Sequence, residues 1–446
     1  MKKRIFKNFA IIVLLSQISI VCFAGELTVE PNGTISTIEQ ALTQAQPHDT
    51  IYVNKALYRE GNIVIGLPVT LIGVDWPVID GENAHEVLTV TADSVTIKGF
   101  TIRNAAISYI EENAAIKVKE TLGCIIDGNR LLNNFFGVYM EQSEAATITN
   151  NEISSVAKRE ANSGNGIHLW YCKSITIRNN RISGHRDGIY FEFVEHSKIS
   201  GNISEHNLRY GLHFMFSNHC RYTKNTFRSN GAGVAVMYTH NVEMVENIFA
   251  QNWGSASFGL LLKEITDSEI RRNLFWQNTL GVYTEGSNRL QVNDNVFAQN
   301  GWAVRVMANS MQNHFAGNQF LENSFDVATN SRQNFNTFEG NYWSAYRGYD
   351  LNRDGIGDVP FRPVRLFSLI VEKQSASLIL LRSFFIDMLD LAEQMLPMLT
   401  PETLIDRKPM MKRAKWLAEV YRPEAMLGGE DQAKTFYDRN EAVAQH

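Results

Sequence analysis

Between about residues 129 and 343, apolar and polar positions follow one short pattern that repeats. Its marker is Asn-x-apolar, with Asn at 129, 151, 180, 202, 225, 247, 273, 295, 318 and 341. The gaps are 22, 29, 22, 23, 22, 26, 22, 23 and 23 residues, which reads as a solenoid with loops on two of its coils. Two residues after the marker stand Leu131, Ile153, Ile182, Phe227, Phe249, Phe275, Phe297, Phe320 and Trp343, interrupted by Ser204. Five after it comes a second series, Asn134, Asn207, Asn230, Asn252, Asn278, Asn300 and Asn323, and then a small residue such as Gly211, Gly233 or Ala303. Apolar and polar residues alternate after each glycine and again before each marker, as in Ile175-Thr-Ile177. Such runs of period two between Asn and Gly are short strands joined by turns.

Three strands in a repeat of this length predict an all-β solenoid, a right-handed parallel β-helix. Its coils would be hydrogen-bonded about 4.8 Å apart, with the hand taken from the crossover rule for parallel strands. Phenylalanines at one address should stack in the core. The Asn series should tolerate left-handed turns and bond up and down the ladder.

Outside the repeat the pattern changes. Residues 25–62 hold a short amphipathic helix, expected to start at a Ser36/Glu39 capping box and to close the open end of coils spanning 63–345. The longer gaps place surface loops at 156–164 and 253–258. Residues 346–365 carry Asp350, Asn352, Asp354 and Asp358 around Gly355. That spacing suits calcium, but the distant Glu of an EF-hand is missing, so a tight loop of Asx turns is the equal alternative. Over 366–400, Leu378, Leu381, Phe385, Leu389, Ala392 and Leu396 recur at helical spacing. Arg382, Asp387, Asp390 and Glu393 argue against a membrane span, and apolar residues on more than one face suit either a partner or a C-terminal cap. The tail, 401–446, with Arg407, Lys408, Lys412, Arg413 and Lys415 near its start, is expected to be flexible or peripheral.

Residues 1–24 have the form of a secretory signal, with Lys2, Lys3, Arg4 and Lys7 ahead of an apolar run and Ala24 at the cleavage point. Removing those four cations takes the formal charge from −5 to −9, and an acidic chain without a basic stripe argues against nucleic acid. Cys124, Cys172 and Cys220 are read as core residues without disulfides.

Chemistry is sought on the strand after each glycine, whose second and fourth residues should point outward. This places His168/Trp170, His213/Met215 and Met237 on nearby coils. Thioether with imidazole is a soft set that favours copper(I). His213, Met215, Met237 and His168 are therefore metal candidates, while docking of a partner or packing under a loop are competing readings. Polysaccharide cleavage needs two carboxylates at a defined separation. Glu141, Glu192 and Glu285 occur singly, and only Asp187 could approach Glu192.

With Gly-Ile-His168-Leu-Trp170, Gly-Leu-His213-Phe-Met215, Asn341-Tyr-Trp-Ser and the Asp350 to Asp358 run in view, the chain resembles the NosD family. These are periplasmic accessory proteins for nitrous-oxide reductase maturation. The resemblance covers about residues 25–409, and its Asn-Tyr-Trp-Ser and Asp-Gly-Ile-Gly-Asp motifs are shared with β-helix repeats of carbohydrate-binding and sugar-hydrolase type. It implies a non-catalytic, pectin-lyase-like β-helix on the periplasmic side of an ABC transporter with a NosY-like permease and a NosF-like ATPase. A NosL-like copper chaperone and the reductase would be further partners, and contact with the membrane would run only through the permease. Trp170, Leu378, Leu381, Phe385 and Leu389 are then docking candidates, with copper(I) a transient cargo. A carbohydrate-binding or polysaccharide-cleaving β-helix is the alternative.

Overall fold

The computed structural model describes residues 24–417 except 109, 255, 332, 382 and 396–403; the expected signal segment and the end of the tail lie outside the described residues. The chain winds into a parallel β-helix. One strand per coil goes to each of three all-parallel sheets of 14, 13 and 12 strands. The first sheet runs from Glu26–Val29 to Thr337–Glu339, the second from Leu57–Tyr58 to Tyr342–Trp343, and the third from Ile63–Ile65 to Phe325–Thr329.

Register is constant along the rod, so each address forms a column. Phe227, Phe249, Phe275, Phe297, Phe320 and Trp343 stack with centroids 4.1–5.7 Å apart. All are essentially inaccessible to water. Ser204, which interrupts the column, is also buried and donates to the Gly211 carbonyl at 2.8 Å, so its hydroxyl is satisfied inside the core.

Both Asn series form ladders, but the left-handed residue is one place earlier than expected. Asn150, Asn179, Lys224, Glu246 and Arg272 carry positive φ, and the Asn that follows each of them does not. The turn thus frees the Asn side chain to point inward. Asn151 Nδ2 donates to the Ile126 carbonyl at 3.0 Å and to Asn180 Oδ1 at 2.9 Å, and its backbone N–H donates to the same oxygen at 3.0 Å. Repeated coil by coil, this satisfies turn groups that a dry interior would otherwise leave unpaired.

Both ends are closed. Helix α1 (Ile38–Gln44) starts one residue later than the capping-box reading. Thr37 is its N-cap and accepts from Gln40 N, while the Glu60 carboxylate accepts from Ile38 N and Glu39 N at 3.0 Å each. At the other end the tail is not peripheral: residues 404–417 lie along the last coils. Asp406 is fully buried and accepts from Asn341 N, Asn341 Nδ2 and Trp343 Nε1, standing where the next coil's Asn oxygen would be. Leu417 and Trp416 pack on the outside of the second sheet against Leu274, Trp276 and Leu321.

Helices α2 (Leu366–Lys373) and α3 (Phe384–Met395) fold back onto the outer face of the third sheet. Phe367, Val371 and Ile386 pack with Phe325 and Trp302, and Arg305 pairs with Glu372. No helix among the described residues is long and apolar enough to cross a membrane.

Candidate functional site

The outer face of the third sheet carries all four copper candidates in two columns. Register aligns Lys117, Tyr139, His168, Tyr190, His213 and Ala235 in one, and Glu141, Trp170, Glu192, Met215, Met237 and Lys263 in the next. The outward direction follows from strand alternation, but outward does not mean exposed. His213 is only 3% accessible and Tyr139 only 6%. Aromatic rings on neighbouring coils cover one another: Tyr139–His168, His168–Tyr190 and Tyr190–His213 centroids lie 4.9, 4.7 and 4.8 Å apart.

The two imidazoles are already engaged. Arg209 Nη2 lies 3.1 Å from His213 Nδ1, and Asn165 Nδ2 lies 3.0 Å from His168 Nδ1. A guanidinium can only donate, so His213 Nδ1 is the acceptor and its Nε2 carries the proton in the neutral ring. Burial depresses both rings, His168 to about 3, and for His213 it outweighs the opposing negative charge of Asp187. His213 also stands 3.9 Å from Asp187, a fully buried carboxylate flanked by Arg186 and Arg209. The two rings form a buried polar cluster under the strip, each with Nδ1 turned to a protein partner, while His213 Nε2 is enclosed without one among the described residues.

Met215 and Met237 are different. They are aligned on adjacent strands and half-buried, with their backbones one strand spacing apart (about 4.8 Å). Beside them runs an aromatic column that the period-two reading missed. Tyr171, Phe193, Phe216 and Tyr238 stack at 4.5, 5.2 and 5.1 Å on the turn leaving the third sheet. Tyr171, Phe216 and Tyr238 are exposed, and Trp170 packs edge-on against Tyr171. The signal in the sequence was an aromatic residue directly after Trp170, Glu192, Met215 and Met237. His196, His219 and His240 form a further exposed file on the same turn, with centroids 5.0 and 5.2 Å apart.

Among the described residues no group of three His, Cys, Asp or Glu side chains could hold a metal ion. The residues that fit copper(I) here are thioethers, so a two-thioether contact suits passing cargo better than a resident ion. In the 346–365 loop the acidic oxygens turn onto the loop's own amides rather than towards one point. Asp350 accepts from Asp354 N and Gly355 N, Asn352 from Asp354 N, Asp354 from Ile356 N, and Asp358 from Leu351 N. This is the Asx-turn arrangement.

The docking candidates divide. Leu378, Leu381 and Leu389 pack towards the rod, so they anchor the helices instead of meeting a partner. Phe385 is exposed, and with Phe384, Met388, Leu391 and Met395 it forms an open apolar face on α3. Trp170 stands between Glu141 and Glu192 in their column, and Asp187 is buried beside Arg186 and Arg209.

A probable ABC transporter binding protein NosD of Pseudomonas aeruginosa is 30% identical over 404 residues, 79% of this chain and 86% of that protein. The chain belongs to the NosD family. Residues 153–348 match the family profile described as periplasmic copper-binding protein (NosD). A second NosD protein, from Stutzerimonas stutzeri and also named a probable ABC transporter binding protein, is 26% identical over 82% of the chain and 88% of its own length. Among solved structures, the catalytic unit of a Streptomyces thermodiastaticus alpha-1,3-glucanase superposes with a TM-score of 0.57 at 14% identity, covering 72% of this chain and 69% of that one. A bacteriophage CBA120 tailspike protein gives 0.53 at 12% identity, covering 75% and 65%. At that identity both likenesses report the fold alone.

Proposed function

We propose that this chain is the periplasmic, non-catalytic subunit of an ABC-transporter complex that matures nitrous-oxide reductase. It acts as a rigid platform on which copper is handed toward the reductase's copper-sulfide site. The open face of α3 carries this reading. Phe384, Phe385, Met388, Leu391 and Met395 are 52–77% exposed on a helix whose opposite face is anchored by Ile386 and Leu389. Covering the exposed parts of these five side chains is worth roughly 5–9 kcal/mol before ordering costs, enough to seat a partner. That partner is the transporter's permease, through which the ATPase is reached. Met215 and Met237 lie on the same side of the rod, aligned for brief contact with copper(I). The neighbouring aromatic column gives the copper chaperone or the reductase a surface to rest on.

Two experiments separate the parts. Met388→Glu with Leu391→Glu should abolish co-purification with the permease while the melting curve stays that of the parent; retained co-purification refutes the docking role of α3. Deleting the chain from Leu366 is a poorer test, because it also removes Asp406 from the end of the Asn ladder. Met215→Ser with Met237→Ser should leave the fold intact and lower copper(I) retention, and unchanged copper loading of the reductase would end the relay reading.

A further inference from the structure

The 29-residue coil does more than carry a loop. Its extra residues form one wall of a cavity of about 530 Å³ on the side of the rod, within the range of small-molecule sites. The wall is held in place: Ala157 N donates to the Gly184 carbonyl at 2.9 Å, Arg186 N to that of Gly164 at 2.9 Å, and Ser163 Oγ to that of Arg159 at 2.8 Å. The opposite side comes from two earlier coils, through Asn83 and Ile107.

The lining has a consistent chemistry. It contains Lys158 and Arg159 but no Asp or Glu, although the chain as a whole is acidic. Neither cation forms an ion pair with a described residue, and the side-chain amides of Asn83 and Asn162 make no hydrogen bond among them. His185 also lines the cavity. It is 1% exposed, and neither ring nitrogen has a partner among the described residues, Nε2 being wholly enclosed. Burial holds this imidazole neutral, down to about 4, so it offers an N–H without bringing a charge. Buried polar groups are nearly always paired in folded proteins, and an unpaired imidazole in the wall of a cation-rimmed cavity is a group that a ligand can satisfy.

We propose that this cavity binds a small oxyanion, a carboxylate or phosphate group, held by Lys158 and Arg159 at the rim with the Asn83 and Asn162 amides and the His185 imidazole inside. The apolar edge of Ile107 would accept a short organic body attached to that group. Charge-assisted hydrogen bonds from a guanidinium and an ammonium supply most of the recognition, so binding should weaken as salt rises. The site is separate from the Met215/Met237 strip and does not depend on copper or on the transporter.

The test is isothermal titration calorimetry on the full mature chain at low salt, with citrate and inorganic phosphate as probes and glucose as the neutral control. Saturable binding of one citrate or one phosphate per chain is expected. Its dissociation constant should rise at least tenfold in the Lys158→Ala/Arg159→Ala double variant, whose positions are exposed and leave the coil intact. His185→Gln should also weaken binding. The proposal is overturned if neither anion saturates, if the double variant binds as tightly as the parent, or if glucose binds as well as the anions.

Discussion

Replacing Asp406 with alanine should unravel one end of the rod and leave the rest standing. Its Oδ2 accepts from Asn341 N at 3.0 Å, Asn341 Nδ2 at 3.1 Å and Trp343 Nε1 at 3.0 Å. Its Oδ1 accepts from Gly340 N at 3.2 Å and Lys408 N at 3.0 Å. Asn341 and Trp343 are buried, so three of these donors lose their acceptor where water reaches poorly. An unsatisfied buried donor costs roughly 1–3 kcal/mol; with some relaxation at the rod's end, about 3–5 kcal/mol is expected for the alanine variant. Asp406→Asn keeps one acceptor oxygen, the group each earlier coil receives from the next Asn, but turns an NH₂ toward the remaining donors. It should cost about half as much. Coils of a solenoid interact mainly with their neighbours, so the loss should be local. The assay is urea denaturation combined with amide hydrogen exchange. Protection should fall around 338–346 and 404–411 while 227–297 keep theirs. An alanine variant within about 1 kcal/mol of the parent and with unchanged protection at the end would refute the reasoning.

Phe275→Ala opens the middle of the aromatic stack, where Phe249 and Phe297 lie 4.7 and 4.8 Å away; about 3–5 kcal/mol should be lost in denaturation, and a loss near zero would mean that the column collapses to fill the gap. His185 is buried, with a folded pKa of about 4 against an ordinary unfolded value of about 6.5. The unfolded chain therefore takes up the extra proton first, and this group's contribution is complete above about pH 6.5 and falls away towards pH 4, by roughly 2 kcal/mol at pH 5. His185→Gln should flatten the decline in melting temperature between pH 7 and pH 5, and an unaltered slope would count against it. Asp350→Ala removes the acceptor for Asp354 N and Gly355 N and should lower stability by about 1–2 kcal/mol, whereas EGTA should leave the melting temperature unchanged. A melting temperature that falls with chelation would restore a calcium role for Asp350, Asn352, Asp354 and Asp358.

Read alone, the sequence determined the coil, its three strands, the Phe stack and the two Asn ladders. The physical reason is that every one of those contacts joins a residue to its counterpart one repeat away, so the contact pattern is the repeat itself. Even there, one detail needed three dimensions: the left-handed residue is Asn150 or Lys224, not the ladder Asn after it, because only that order turns the amide inward. The tertiary structure decided what is covered. Alternation places His213 and His168 outward, but whether an outward ring meets water depends on the rings stacked on it and on Arg209 and Asn165, which period two does not encode. It also decided which face of α3 stays open, since helical spacing shows a stripe but not that Ile386 and Leu389 are spent against the rod, with Leu378 and Leu381 from the turn before the helix packed beside them. The tail was the least legible segment. Asp406 reaches Asn341 across 65 residues with no periodicity between them, and only the folded end of the ladder, one acceptor short, says where that carboxylate belongs.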